Sequence, residues 1–408
     1  MMATISTARA SAFWLVPMLA AAVMLTYIDR GAVGIAAPLM KEELALSATG
    51  FGIAVSAFFW VYVPVMLLVG WLCDRICVYR LFAAGVLLWA LSTMATAWIG
   101  GLAMLIVLRA LLGLGESIVF PGSSKIIAAE VPGEKRGMAN AMVAAAIAFG
   151  PAVGTMVGGI LLELHGWRAV FLLFGLATLL WLAPWHIVSK PFREAPLASG
   201  RPPFPMRRLL RNRTLWLSGA AHFCSNYAFY FVLAWLPLYL VKTRGMSILD
   251  MTTLTTAVFV VQGISALAFG HWSDRLVRRG LDEGRVRKAL MAVSQVVVAG
   301  CILGAALAPT NAVLGIWLVM AGVATGIIST NMFAIAQIFA GPRASGSWVG
   351  AQNAIGNTSG IIGPIVTGLM IDATGSYFTG FALAAGVAGA GGLIWALAMP
   401  RVEPLPLD

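Results

Sequence analysis

Gly70-Trp-Leu-Cys-Asp74-Arg75 recurs 200 residues later as Gly270-His-Trp-Ser-Asp274-Arg275. Each copy closes an apolar run of helical length with an acid and a base. A second echo runs with it: Gly150-Pro151 with Gly154 and Gly158 finds a counterpart in Gly363-Pro364 and Gly368. Two halves that repeat one another, each built of apolar helices, mark a duplicated bundle.

Working outward, the chain has 408 residues, of which 60% are hydrophobic and only 11% charged. Soluble domains carry about 25% charge. A water-soluble core has no room for this much apolar surface, so lipid is the solvent for most of the chain. The net charge of +11 invites a nucleic-acid reading, but the basic residues fall in short loops between apolar runs, as membrane topology demands. Cys73, Cys77, Cys224 and Cys301 show no disulfide or zinc spacing, and no metal site is expected. The first apolar run is too long for a signal-peptide core and carries Asp29 and Arg30, so it reads as a retained helix.

A helix needs about 20 apolar residues to cross a bilayer. Twelve stretches qualify: 13–36, 50–72, 80–99, 103–127, 138–162, 168–189, 214–240, 251–272, 288–308, 312–339, 346–371 and 376–399. An even number puts both termini on one side. With the termini inside, Lys41, Arg168, Lys242 and Arg244 alone lie outside, and Arg30 and Arg109 lie in the membrane. Every other basic residue of the 27 is then cytoplasmic, which fixes the expected orientation. The basic, Pro-containing stretch 190–213 falls between the sixth and seventh spans. The expectation is therefore an all-α membrane protein: a six-helix bundle over 1–189, a cytoplasmic linker over 190–213 and a second, pseudo-symmetric six-helix bundle over 214–408.

These residues resemble the major facilitator superfamily. The repeated Gly-x-x-x-Asp-Arg is similar to its loop motif, although Ile76-Cys77-Val78-Tyr79 stand where a glycine and basic residues are usual. Arg109-x-x-x-Gly113 resembles its fourth-span motif, and the Gly/Pro run its fifth. A narrower resemblance is to the anion:cation symporter family. It rests on Tyr27-Ile-Asp29-Arg30, on Arg109-Ala-Leu-Leu-Gly113-Leu-Gly115-Glu116 with Phe120-Pro121-Gly122, and on Gly166-Trp167-Arg168. Trp235-Leu-Pro237-Leu-Tyr239-Leu and the Asn353/Asn357/Pro364 pattern support it. That family includes carriers of hexonates, glucarate and related sugar acids, and is similar to vesicular glutamate and sialic-acid transporters. The resemblance implies proton-coupled movement of carboxylates.

Asp29, Arg30, Arg109 and Glu116 are four charges at membrane depth, two of each sign. Each costs about 2.5–3.5 kcal/mol on the insertion scale, which argues for use rather than accident. With the first span ending near Ala36, Arg30 and Arg109 come out at similar depth, and Glu116 two turns further in on the face of Arg109. Asp29 and Arg30 are neighbours and point to different faces. The expected pairing is Asp29 with Arg109, leaving Glu116 and Arg30 joined through water or cargo. Glu116 is then the leading proton carrier with Asp29 second, because taking a carboxylate out of water favours its neutral form. Arg30 and Arg109 would bind a carboxylate through their planar forks. The alternative is a structural set of ion pairs joining the first and fourth spans.

Tyr27 lies one turn before Arg30, and the resemblance implies a cavity role for Tyr62. In the second half the polar groups are neutral amides and hydroxyls plus His222. His222, Asn226 and Tyr230 repeat every four residues, Gln262 follows, and Asn353 and Asn357 form an i,i+4 pair. Asn226, Gln262, Asn353 and Asn357 are expected to bind cargo hydroxyls, the alternative being helix–helix hydrogen bonds worth about 0.6 kcal/mol each. His222 reads more simply as a core histidine. Asp74, Arg75, Asp274 and Arg275 read as gating residues, through helix capping and ion pairing at the membrane surface.

No Gly-x-x-x-x-Gly-Lys-[Ser/Thr] loop supplies an ATP engine, and no catalytic cluster or cofactor is expected. The leading expectation is a monomeric, multi-pass symporter of a bacterial inner membrane, importing a small organic anion with protons by alternating access. The alternative is a proton-driven exporter of drugs or amphipathic lipids on the same scaffold.

Overall fold

The computed structural model describes residues 2–73, 76–131, 133–193 and 206–406, and among them every regular element is helical. Twelve helices are long and apolar enough to cross a membrane. Spans 1 to 6 are Phe13–Glu43, Ala48–Met66, Val78–Trp98, Leu102–Glu130, Met138–His165 and Trp167–Phe192. Spans 7 to 12 are Arg213–Lys242, Ile248–Arg278, Glu283–Ala306, Asn311–Gly341, Ala344–Thr374 and Tyr377–Ala398. Helices dominate because each backbone N–H and C=O must find its partner inside its own segment where no water reaches.

Several spans outrun the apolar stretches that announced them. Span 1 continues through Pro38 to Glu43. A proline inside an apolar run reads as a stop in water, whereas membrane helices tolerate it because neighbours satisfy the freed carbonyl.

The chain folds as two compact units. Unit 1 comprises Met1–Leu46 and Ile53–Arg201; unit 2 comprises Ser47–Gly52 and Pro202–Asp408. The division falls inside the stretch read as a linker, half of which lies outside the described residues. Ser47–Gly52 is the start of the second helix and clusters with unit 2. There the Asp372 carboxylate accepts from the amides of Ala48 (3.0 Å) and Thr49 (2.7 Å), satisfying donors that a helix start leaves open.

Within unit 1, glycines let helices touch at backbone distance. A Cβ on Gly113 of span 4 would sit 2.2 Å from the Phe58 carbonyl oxygen, and one on Gly154 of span 5 would sit 2.8 Å from the Cα of Ile28. Span 4 is thereby pressed against the second helix, and span 5 against span 1, at the level of Asp29 and Arg30.

Helix starts in unit 2 are closed by side chains. Asn212, Ser247, Asp282, Thr310 and Ser376 each accept a bond from an amide in the first turn that follows, a contribution of about 1 kcal/mol apiece. The starts of spans 3, 4 and 6, at Cys77, Gly101 and Gly166, have no such cap. Glu43 at the end of span 1 instead receives the indole N–H of Trp167 (2.6 Å) and Arg168 (2.5 Å).

Candidate functional site

Asp29, Arg30, Arg109 and Glu116 are all buried in unit 1, with exposures of 2%, 5%, 3% and 0%. Their pairing differs from the sequence expectation. Arg30 Nε donates directly to Glu116 Oε2 at 2.9 Å. Asp29 does not reach Arg109; its Oδ2 accepts from the indole N–H of Trp89 and from the Thr93 hydroxyl (3.2 Å), both on span 3. The cause is geometric. Span 1 runs seven residues beyond the expected end, so Arg30 lies deeper than reckoned, level with Glu116. Asp29, about 100° round the helix from Arg30, faces span 3 instead.

Aromatic rings close over Arg30. Its guanidinium carbon lies 4.6 Å from the ring centre of Tyr62, 5.0 Å from Phe58 and 5.2 Å from Tyr27. Contacts of this kind add about 2 kcal/mol when desolvated. Tyr27, one turn before Arg30 in the sequence, and Tyr62 both meet that guanidinium.

Arg109 is in a different condition. Its guanidinium stands 5.3 Å from the Phe58 ring, and among the described residues it has no carboxylate within ion-pair distance and no hydrogen bond. Its Nε is buried without a partner, as are Glu116 Oε1 and Asp29 Oδ1. A buried cation without a counterion is costly. The same feature equips it to receive an anion, because the guanidinium fork matches a carboxylate.

The part span 3 plays in the site was missed by sequence reading. Trp89 and Thr93 are one turn apart and both serve Asp29, yet neutral donors in an apolar helix give no signal until the acid they face is known. Phe58 was missed for the same reason.

Unit 2 has its own buried polar chain. The Tyr230 hydroxyl donates to Asn357 Oδ1 at 2.6 Å. Asn357 Nδ2 donates to both the backbone and the side-chain oxygen of Asn353, at 2.8 and 2.9 Å. His222 is 5% exposed, stands edge-on to Phe333 and has Asn226 as a side-chain partner. Gln262 faces a small apolar cavity of about 20 Å³ with Phe229, Phe259, Leu318 and Thr325.

Of the expected gating residues, Asp74 and Arg75 lie outside the described residues. Asp274 accepts from Arg287 Nη2 at 2.9 Å, and Arg287 also holds Glu283 (2.8 Å) and Asn331 (3.2 Å). Arg275 is exposed and makes no ion pair among the described residues. Arg287 therefore holds the acid of the second motif, and its place in a surface-rich stretch, Arg285-Val286-Arg287-Lys288, concealed it. Among the described residues no three His, Cys, Asp or Glu side chains cluster to hold a metal ion.

The sequence profile of the Major Facilitator Superfamily matches residues 19–360 and 249–407. The chain belongs to that superfamily. It is thus a multi-pass membrane transporter and not an enzyme. It is 28% identical over 383 residues to the hexuronate transporter of Bacillus subtilis (strain 168), covering 90% of this chain and 89% of that protein. It is 29% identical to the probable galactarate/D-glucarate transporter of Escherichia coli (strain K12), covering 90% and 88%. It is 28% identical to the probable sulfoacetate transporter of Cupriavidus necator, covering 93% and 91%. The fold matches the crystal structure of a bacterial homologue of the human lysosomal transporter Spinster in an inward-facing, occupied conformation. That match has a TM-score of 0.77, 17% identity and 95% coverage of each chain; at that identity it speaks for the fold alone.

Proposed function

We propose that this protein is a proton-coupled symporter that brings a small organic anion, a carboxylate such as a sugar acid, across a bacterial inner membrane by alternating access. One observation carries the reading: among the described residues Arg109 is buried without ion pair or hydrogen bond, next to a second arginine whose charge is matched by Glu116. Arg109 is the standing receptor for the anion, and Glu116 is the group that takes the proton. A proton on Glu116 removes the charge that holds Arg30, and an incoming carboxylate restores the balance. Relatives named for hexuronate, galactarate/glucarate and sulfoacetate support cargo of this kind. An exporter of cationic drugs would have to place its cargo beside an unmatched guanidinium, which like-charge repulsion opposes. H+ is the coupling ion, no cofactor is invoked, and the working unit is a monomer with cytoplasmic termini.

The test is Glu116→Gln in proteoliposomes. Wild type should accumulate a sugar acid when the outside is acidified, with uptake rising as outside pH falls, since the loaded form requires a proton. The variant should lose accumulation and that pH dependence while still exchanging anion for anion. A variant that concentrates cargo like wild type removes Glu116 from coupling.

A further inference from the structure

Span 12 ends at Ala398, and the chain continues as Met399-Pro-Arg-Val402-Glu-Pro-Leu405-Pro406. Its prolines, at 400, 404 and 406, keep such a segment extended and leave it little freedom to lose on docking. The segment forms no helix, yet it is tied down at three points, all within unit 2. The Met399 carbonyl accepts from Lys288 Nζ at 2.7 Å. Val402 is buried, and its carbonyl lies so near Gly284 that a Cβ there would stand 2.0 Å from the oxygen. Leu405, between two prolines that have no N–H, donates its amide to the Phe339 carbonyl at 3.0 Å.

Phe339 stands two residues before Gly341, where spans 10 and 11 meet. Gly341 breaks the helix with φ 60° and ψ 178°. Such a break takes the helical donors away from the carbonyls before it, and the next residue, Pro342, has no N–H to offer. The Leu405 amide supplies one. Gly284 and Lys288 sit in the first turns of span 9 beside Glu283 and Arg287, and Arg287 holds Asp274 of the second motif. One segment therefore ties the junction of spans 10 and 11 to the motif end of unit 2. The hold is light. From Pro400 to Pro406 only Val402 is buried, while Arg401, Glu403, Pro404 and Pro406 are exposed. A segment held by so few contacts opens well before the bundle unfolds.

We propose that Met399–Pro406 is a releasable strap that brakes the transport cycle. Docked, it holds the Gly341 junction in one bend; released, it lets the junction pivot. A short connection that absorbs large backbone changes is where a hinge works, and the strap is bonded two residues from it. The proposal rests on the chain being a transporter, not on the identity of its cargo or coupling ion.

Gly284→Ala tests this without altering the strap. Alanine favours the helix, but its methyl must push the Val402 carbonyl away. In full-length protein with Cys73, Cys77, Cys224 and Cys301 changed to serine, Val402→Cys reports docking by its rate of maleimide labelling. Labelling should outpace global unfolding, and Gly284→Ala should speed it about tenfold. Gly284→Ala and Leu405→Pro, which removes the amide donor, should each speed hydrogen exchange at residues 341–345 about tenfold. Both should raise the turnover of galacturonate exchange in proteoliposomes about threefold with KM unchanged, as expected where a conformational step limits the rate. Labelling only as the protein unfolds would show a fixed segment and overturn release. Wild-type junction exchange or wild-type turnover in both variants overturns the brake. A wild type that carries no galacturonate faults the sugar-acid reading instead, and labelling and junction exchange then still decide the strap.

Discussion

At membrane depth unit 1 buries charge and unit 2 buries dipoles, its buried Arg287 lying near the start of span 9 against the exposed Asp274 and Glu283. In unit 1 two carboxylates and two guanidiniums lie at membrane depth, each costing about 2.5–3.5 kcal/mol to insert. In unit 2 the Tyr230–Asn357–Asn353 chain is neutral and locally satisfied, and such bonds contribute about 0.6 kcal/mol apiece. The halves share motifs and helix count, so the contrast is not one of architecture. It is one of cost: an ion buried at membrane depth in unit 1 demands a return that a satisfied dipole in unit 2 does not.

Within unit 1 the two arginines make the sharpest contrast, and removing each should fail differently. Arg30→Gln leaves Glu116 buried without its counter-charge, which should cost about 3–5 kcal/mol of stability. Thermal unfolding in detergent should show a large drop, recovered in good part by the double change Arg30→Gln/Glu116→Gln. A single variant as stable as wild type would mean the pair bears no structural weight. Arg109→Gln removes a cation with no partner to strand, so unfolding should scarcely move. Anion affinity should instead fall by about 10- to 100-fold, the worth of bonds to a charged group. If Arg109→Gln unfolds early and binds normally, the roles given to the two arginines are reversed.

The glycine contact beneath them is the next lever. Gly113→Ala puts a methyl 2.2 Å from the Phe58 carbonyl oxygen and must push span 4 away from the second helix. Overpacking of this kind costs about 1–3 kcal/mol. Phe58 lies beneath both guanidiniums, so anion binding should weaken along with stability. Full binding in a destabilised variant would separate the contact from the site.

The sequence made the twelve spans and the doubling legible because apolar length and a repeated motif are local signals. It made the four charges legible because lipid renders any ionisable residue conspicuous. Partner choice was not legible. Asp29 and Arg30 are adjacent, and which of them meets span 4 depends on where span 1 ends, a boundary that Pro38 disguised. Trp89 and Thr93 gave no sign because an indole and a threonine are at home in a membrane helix. Arg287 was hidden for the opposite reason: at a membrane edge crowded with arginines, one that turns inward looks like the rest.

The smallest expected effect probes the neutral half. Tyr230→Phe removes the hydroxyl and its bond to Asn357 Oδ1, with the ring itself kept. If that bond only joins helices, stability falls by about 0.6 kcal/mol and affinity for every anion is unchanged. If Asn357 is held there to meet a cargo hydroxyl, its freed oxygen should alter hydroxyl recognition. Affinity for galacturonate would then shift by about threefold, the same 0.6 kcal/mol expressed in binding, while a deoxy analogue lacking that hydroxyl would bind as before. The ratio between the two sugar acids decides the matter, because a general loosening of the bundle moves both affinities together and leaves the ratio where it was.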